Sequence, residues 1–422
     1  MGGGGRRVVI IGLDGVPFEL LNIYMAQGVM PRFKEIVAAG TLVPMKSTLP
    51  EVSSVAWASF MTGKKPAEHA VFGFMEMDRD TYQYSFPNYH SIKAPMFWEK
   101  LDASAVLFNI PQTYPARPVK GALVSGFVAV DLARAVYPGR LYDRLRKMQY
   151  RLDVDSRLAA RDPAAFFKDL FLTLEKRVEA MRYLYDSEAW DIFAGVITET
   201  DRLHHFFFDS ALEGKFSAVF ADFYKKVDMA LFDMYTRAKK DNAVFMTCSD
   251  HGFTAIKSEV YVNRCLAEAG YLEAGTTEHT GIKGGSRAFC LDPARLYIHT
   301  KKKYARGGVD EKDYEKVRGE IKDLFLQLGH NGQRAVKRVF LKEEIFSGPF
   351  AADAPDLYIL GEPGFDLKAS LGKDEVFGLS ALRGAHTYEG AHLYVSDGID
   401  PGPDPSIDQV ARLVEQVYID KQ

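Results

Sequence analysis

An aspartate stands beside a histidine in Ser249-Asp250-His251-Gly252-Phe253, just after the apolar run 243–247. Such a pair can ligate a metal, act as an acid/base couple, or form an ordinary turn. Five other side chains share its setting at the end of a predicted strand or the start of a predicted helix. Asp14 follows the apolar run 8–13. Asp201 and His205 follow the run 190–197 and stand at i and i+4, on one face of a helical turn. They can grip one ion together or hydrogen-bond to each other, while His204 points about 100° away. His386 sits in Arg383-Gly384-Ala385-His386, where Gly384 permits a turn. Ser53, with Ser54 behind it, opens a helix after Pro50. A hydroxyl there is usually an N-cap. The sharper reading is a nucleophile set against free N–H groups and the positive end of the helix dipole, a place that also suits an incoming phosphate.

Together these are three carboxylates, three imidazoles and a hydroxyl. That mixture suits zinc, manganese or iron better than calcium. Seven donors are too many for one tetrahedral site and enough for two. Two ions ~4 Å apart are the usual device for in-line displacement at phosphorus. A serine hydroxyl is a weak nucleophile at neutral pH until a base or a metal removes its proton.

These positions converge only if the strands lie side by side. Val8-Val9-Ile10-Ile11-Gly12-Leu13 is a continuous apolar, β-branched run, the pattern of a central parallel strand, and 190–197, 243–247, 354–360 and 391–395 read as strands too. Runs 105–110 and 122–127 bracket Pro111-Gln112-Thr113-Tyr114-Pro115. Helices are expected over 19–28, 31–40, 133–150, 163–186, 260–270 and 310–328, and a short hairpin over 286–299. In a parallel sheet, ligands bind outside the carboxyl ends of the strands. The expected fold is an α/β domain over 7–422, with a mostly parallel sheet sandwiched by helices. The looser stretch 73–185, with aromatics at Tyr82, Tyr84, Phe86 and Tyr89, is expected to be an inserted cap subdomain. His69, His279, His299 and His392 read as structural or surface residues, and Lys301-Lys302-Lys303 as a solvated loop.

Of 422 residues, 47% are hydrophobic and 26% charged, an ordinary globular balance with room for a large core. The formal net charge of −3 carries no basic surplus, which argues against nucleic acid as a partner. Three cysteines and no C-x-x-C pair argue against a disulfide framework and a structural zinc site. The apolar run 8–13 is too short for a signal sequence, and no run of ~20 apolar residues is present, so no membrane partner and a cytoplasmic location are expected.

Asp14, Ser53, Asp201-x-x-x-His205, Asp250-His251-Gly252 and His386, in that order, resemble the alkaline phosphatase superfamily and, within it, the type I phosphodiesterase/nucleotide pyrophosphatase family. The phrases Ser47-Thr48-Leu49-Pro50, Ala56-Trp57-Ala58-Ser59-Phe60-Met61-Thr62-Gly63, Asn109-Ile110-Pro111 and Thr113-Tyr114-Pro115 fit the same pattern. The resemblance implies one metal on Asp201, His205 and His386 and a second on Asp14, Asp250 and His251, with zinc the expected ion and manganese or iron as alternatives. It implies Ser53 as a metal-coordinated nucleophile that forms a covalent phospho- or nucleotidyl-enzyme, with Ser54 as its rival. The substrate would be a small phosphate ester, a nucleotide among the options. Two departures stand out. Many relatives carry Thr where this chain has Ser53, and their phosphate-binding Asn falls near Phe74, which cannot donate; Asn109 is one replacement to consider. Phosphodiester or pyrophosphate cleavage is the leading reading. A phosphomonoesterase, with Lys64, Lys65 or Arg202 holding the extra phosphate oxygens, and a mutase resembling the cofactor-independent phosphoglycerate type remain alternatives. No C/S-x-P-x-R segment of a sulfatase lies near Ser53, and a binding module that had merely kept the fold would have lost ligands, whereas all seven are present.

Overall fold

The computed structural model describes residues 6–273 and 281–419; His279 lies outside them. The central sheet has eight strands, in the order Gly40–Met45, Ala391–Ser396, Val244–Cys248, Val8–Leu13, Ile192–Ile197, Ala105–Ile110, Gly121–Ser125 and Val136–Tyr137. The five from Val244–Cys248 to Gly121–Ser125 run parallel to one another. Antiparallel pairing is confined to the two edges.

The parallel strands are the unbroken apolar runs, and helices cover both of their faces. Val9, Ile11 and Leu13 point to one layer, where they meet Tyr24, Phe33, Leu170, Leu184, Phe223 and Leu231. Val8 and Ile10 point to the other, with Trp57, Phe60, Phe97, Val410 and Val414. That alternation is the period of two of an extended chain, here buried on both sides. Register then aligns the strand ends: Leu13 pairs with Ile197, and Gly12 with Cys248. Asp14, Thr198 and Ser249 therefore leave three neighbouring strands at one edge of the sheet.

The inserted unit lies elsewhere than expected. Residues 105–110 and 121–125 are strands of the main sheet, and helix Pro163–Ser187 packs Phe166, Leu170, Leu174 and Leu184 into its core. The stretch 73–185 is therefore not a separate cap. The scattered aromatics before it suggested one because they serve two cores: Tyr89 packs under the main sheet and Tyr82 in a second cluster. Most of the second cluster comes from residues 256–382. Its four-stranded sheet runs Ala288–Leu291, Arg295–Ile298, Leu357–Gly361, Val336–Leu341, backed by helices Val262–Glu268 and Tyr314–Leu326. The expected helix over 133–150 shortens to Arg140–Lys147, because Pro138 follows an edge strand at Val136–Tyr137. Among the described residues, no helix is long and apolar enough to cross a membrane.

Candidate functional site

Each donor is aimed by backbone or by a neighbour. Gly12 has no Cβ, and one built there would stand 2.4 Å from the Trp57 ring. Helix Ser53–Thr62 can therefore lie against the strand end, where the Trp57 Nε1–H donates to Asp14 Oδ2 at 3.4 Å. Gly15, at φ +65°, turns the chain beneath Phe253, and its N–H donates to Asp250 Oδ1 at 3.0 Å. Asp201 lies in the first turn of helix Glu199–Phe207, its Oδ2 accepting from Arg202 at 2.9 Å. Arg202 is itself held by Asp153 at 2.8 Å and lies 4.5 Å over the Phe127 ring. His386 is brought in by the strand Gly384–Thr387, which pairs antiparallel with Gly252–Ala255 so that His386 is opposite Phe253. The strand that follows Asp250-His251 thus pairs with the one that carries the histidine contributed from far along the chain.

All three site histidines direct Nδ1 at a backbone carbonyl: His251 at Gly252 (3.0 Å), His386 at Glu51 (3.0 Å) and His205 at Gly384 (3.3 Å). Donation there leaves each Nε2 lone pair free to bind a cation. His204 is different: its Nδ1 faces the Gly15 carbonyl and its Nε2 the Tyr224 hydroxyl, both at 2.8 Å, so it braces the strand end. His69, bonded to Ser59, and His392, bonded to the Val16 carbonyl, are likewise buried in the fold.

Two donor groups form, Asp201–His251–His386 and Asp14–Asp250–His251, each with ligand atoms within 4.8 Å of one another. His205 joins the first: its Nε2 is 3.3 Å from Asp201 Oδ1 and 3.0 Å from His386 Nε2. His386 Nε2 is also 3.3 Å from Asp201 Oδ1. In the second, Ser53 Oγ lies 3.4 Å from Asp14 Oδ1 and 3.2 Å from His251 Nε2, which is 3.3 Å from Asp250 Oδ2 and 3.7 Å from Asp14 Oδ1. Donors bound ~2.0–2.2 Å from one tetrahedral ion stand roughly 3.3–3.6 Å apart, so both halves have the right span. Asp201 Oδ1 and Asp250 Oδ2 are also buried with no hydrogen-bond partner. A buried carboxylate oxygen left so is costly unless a cation meets it, so the residues fit two divalent ions.

The electrostatics agree. Burial, with Asp250 and Asp201 nearby, pushes the Asp14 carboxyl well above the usual range, and burial lifts Asp250 to about 6. Burial also opposes charge on Asp201, but His205, His386 and Arg202 hold it well below the usual range. Burial and the adjacent His386 push His251 well below the ordinary histidine value. Like charges crowded in a dry site raise one another's cost, and a dication removes it.

Ser53 and Ser54 differ sharply. Ser53 Oγ touches the donor set, whereas Ser54 Oγ is buried with no polar partner. Both sit at the start of a ten-residue helix whose first intrahelical N–H donors are Val55 and Ala56, to Val52. Asn109 is not at the phosphate position: its amide donates to Val196 O at 2.8 Å and to Thr198 Oγ1 at 3.2 Å, pinning two strands. Phe74 stacks on Phe127 with centroids 5.5 Å apart and meets the exposed Phe86 edge-on. Lys64 pairs with Glu68, leaving Arg202 as the sequence-flagged cation that reaches a ligand. A cavity of about 550 Å³ opens beside His205 and His386, walled by Phe74, Phe253 and Tyr358 and by strands of the second unit. Apart from His205 and His386 its residues carry no motif; their distance along the chain hid them.

A mostly parallel α/β sheet thus gathers this donor set at its strand ends. The chain belongs to the type I phosphodiesterase / nucleotide pyrophosphatase family, whose sequence profile matches residues 8–392. It shares its fold with phosphonoacetate hydrolase from Sinorhizobium meliloti 1021 in complex with phosphonoformate, at TM-score 0.65 and 15% identity over 98% of this chain and 96% of that one. It is similarly related to murine ectonucleotide pyrophosphatase / phosphodiesterase 5, at TM-score 0.58 and 14% identity over 98% and 95%. No curated protein matches its sequence.

Proposed function

We propose that this protein cleaves phosphodiester or pyrophosphate bonds by passing the phosphoryl group to Ser53 and then to water. Asp201, His205 and His386 would hold one divalent ion; Asp14, Asp250 and His251, with Ser53, would hold the other. The donor chemistry favours zinc, with manganese or iron as alternatives. Bound there, such ions lower the pKa of a hydroxyl or water and neutralise charge on the phosphoryl group. Ser53 Oγ loses its proton and attacks phosphorus in line, the bond to the leaving oxygen breaks and that oxygen takes up a proton, and a phospho- or nucleotidyl-serine that keeps the retained ester group forms. Water then attacks that phosphorus and restores the hydroxyl. The free N–H groups at the start of helix Ser53–Thr62 face the charge that builds on the phosphoryl oxygens.

The observation that carries this reading is Ser53 Oγ at 3.2 Å from His251 Nε2 and 3.4 Å from Asp14 Oδ1. A small phosphate ester, nucleotides included, suits the cavity beside it; an inactive variant of the murine relative was crystallised with AMP. Of the cations considered for the monoester alternative, Arg202 is committed to Asp153 and Asp201, and Lys64 to Glu68. A side-by-side assay of p-nitrophenyl phosphate and bis-p-nitrophenyl phosphate, with zinc and with manganese, tests the reading. The diester is expected to turn over faster; turnover of the monoester alone, or of neither, would contradict it.

A further inference from the structure

Residues 150–155 form no helix or strand, yet they carry Asp153, the carboxylate that holds Arg202 against Asp201. What fixes this segment is one face of helix Pro163–Ser187. Asp169, Thr173 and Arg177 stand four residues apart on that helix and form a stripe along it. Asp169 accepts from the Arg151 guanidinium and, at 2.9 Å, from the Asp155 N–H. Thr173 Oγ1 accepts from Arg151 Nε at 2.8 Å. Arg177 donates through Nη1 to the Tyr150 hydroxyl, and through Nη2 to the Leu152 carbonyl at 3.1 Å. Asp153 is thus flanked on both sides by anchored residues.

Arg177 reaches the donor set by a second route as well. Its Nε donates to Glu199 Oε1 at 3.0 Å, with Nη2 2.9 Å from the same oxygen. Glu199 is the first residue of helix Glu199–Phe207, which carries Asp201 and His205. One fully buried guanidinium therefore holds both the start of that helix and the segment that aims Asp153. Stability does not account for it. Desolvating two charges offsets most of what their attraction returns, and an apolar pair of similar volume often serves as well. Glu199 Oε2 is also buried with no hydrogen-bond partner, a cost that a pair kept for stability alone would not carry. What the guanidinium supplies is geometry. Its planar fork fixes Glu199 Oε1, the Tyr150 hydroxyl and the Leu152 carbonyl relative to one another, which a lysine cannot do.

We propose that Arg177 is a positioning residue for the Asp201–His205–His386 half of the donor set, acting on Asp201 through Glu199 and through the Asp153–Arg202 pair. This rests on the two-ion reading above. The test titrates the metal-free full chain with cobalt, followed by visible absorption, and measures the urea unfolding midpoint of each variant. The step that belongs to this half is the one His386→Ala abolishes. Arg177→Lys keeps a charge for Glu199 but cannot span the segment, and is expected to weaken that step several-fold. Arg177→Met combined with Glu199→Gln removes both charges together and is expected to weaken it about tenfold. Asp169→Asn, which loosens the segment without touching the buried pair, should weaken it several-fold. The other step should stay unchanged in all three. Leu184→Ala, in the core of the same helix, is the control: it should lower the unfolding midpoint and leave both steps as they were. Should the double variant not fold, Asp169→Asn and Arg177→Lys decide. An unchanged step in the variants that fold, equal weakening of both steps, or the same weakening in Leu184→Ala would overturn the proposal while leaving two-ion binding intact. A wild-type chain that takes up fewer than two ions would overturn the two-ion reading and this proposal with it.

Discussion

The two halves of the donor set are built differently. The Asp14–Asp250–His251 half has two carboxylates and one imidazole, is almost wholly buried, and touches Ser53. The Asp201–His205–His386 half has one carboxylate and two imidazoles, stays partly open, and borders the cavity. The more anionic half lies beside Ser53, the proposed nucleophile. The less anionic half would leave its ion more electrophilic, and it lies where the leaving oxygen gathers charge. On the proposed mechanism, charge asymmetry would divide the work between attack and departure. Both halves rely on backbone carbonyls to fix imidazole orientation, but only the second adds a charged brace, the Asp153–Arg202 pair on Asp201.

The division can be broken one part at a time. Ser53→Ala is expected to lower turnover of an aryl phosphodiester by about a thousandfold or more while two ions per chain remain, as read by steady-state kinetics with elemental analysis. Asp250→Asn should empty the buried half and His386→Ala the open half, each leaving close to one ion per chain. Loss of both ions from either variant would mean that the halves are not independent.

Asp153→Asn should act more gently and on one half alone. Arg202 would lose its anchor, and Asp201 Oδ2 its fixed partner, lowering affinity for the open-half ion by about 10–100-fold. Cobalt titration followed by visible absorption should show one weakened step and one unchanged step; two unchanged steps would remove Arg202 from the account.

The smallest effect concerns histidines outside the site. Burial lowers His69 from 6.5 to about 3 and His392 to about 4. The unfolded chain takes up protons at these positions below pH 6.5 and the folded chain does not. Their contribution to stability is therefore full above that pH and declines as the pH falls toward 4. The midpoint of urea unfolding, measured without metal, should drop between pH 7 and pH 5.

How legible these regions are in the sequence follows from how they are built. Asp14, Asp201, Asp250 and His251 each follow an apolar run that had to be a buried parallel strand, so the donor face could be read from local pattern alone. His386 was legible only by type, because what places it is pairing with Gly252–Ala255, a contact that no local pattern announces. The cavity wall was not legible. Glu51, Asp292, Glu362 and Lys368 are ordinary surface residues in sequence, and their meeting depends on how the second unit packs on the sheet. The misplaced cap has a similar cause. Aromatic residues in a loose stretch do not reveal which of two cores they serve, and Tyr82 and Tyr89 serve different ones. Asn109 looked available because amide donors suit phosphate, but its position on a central strand committed it to the neighbouring strand.

The central claim is that Ser53 takes the phosphoryl group. It is tested most directly by stopping turnover of a slowly hydrolysed aryl phosphodiester in acid and mapping the digested protein by mass spectrometry. The account predicts a phosphoryl adduct that keeps the substrate's retained ester group on Ser53, lost in Ser53→Ala and absent from Ser54. An active enzyme with an unmodified Ser53, or with the adduct on Ser54, would contradict it.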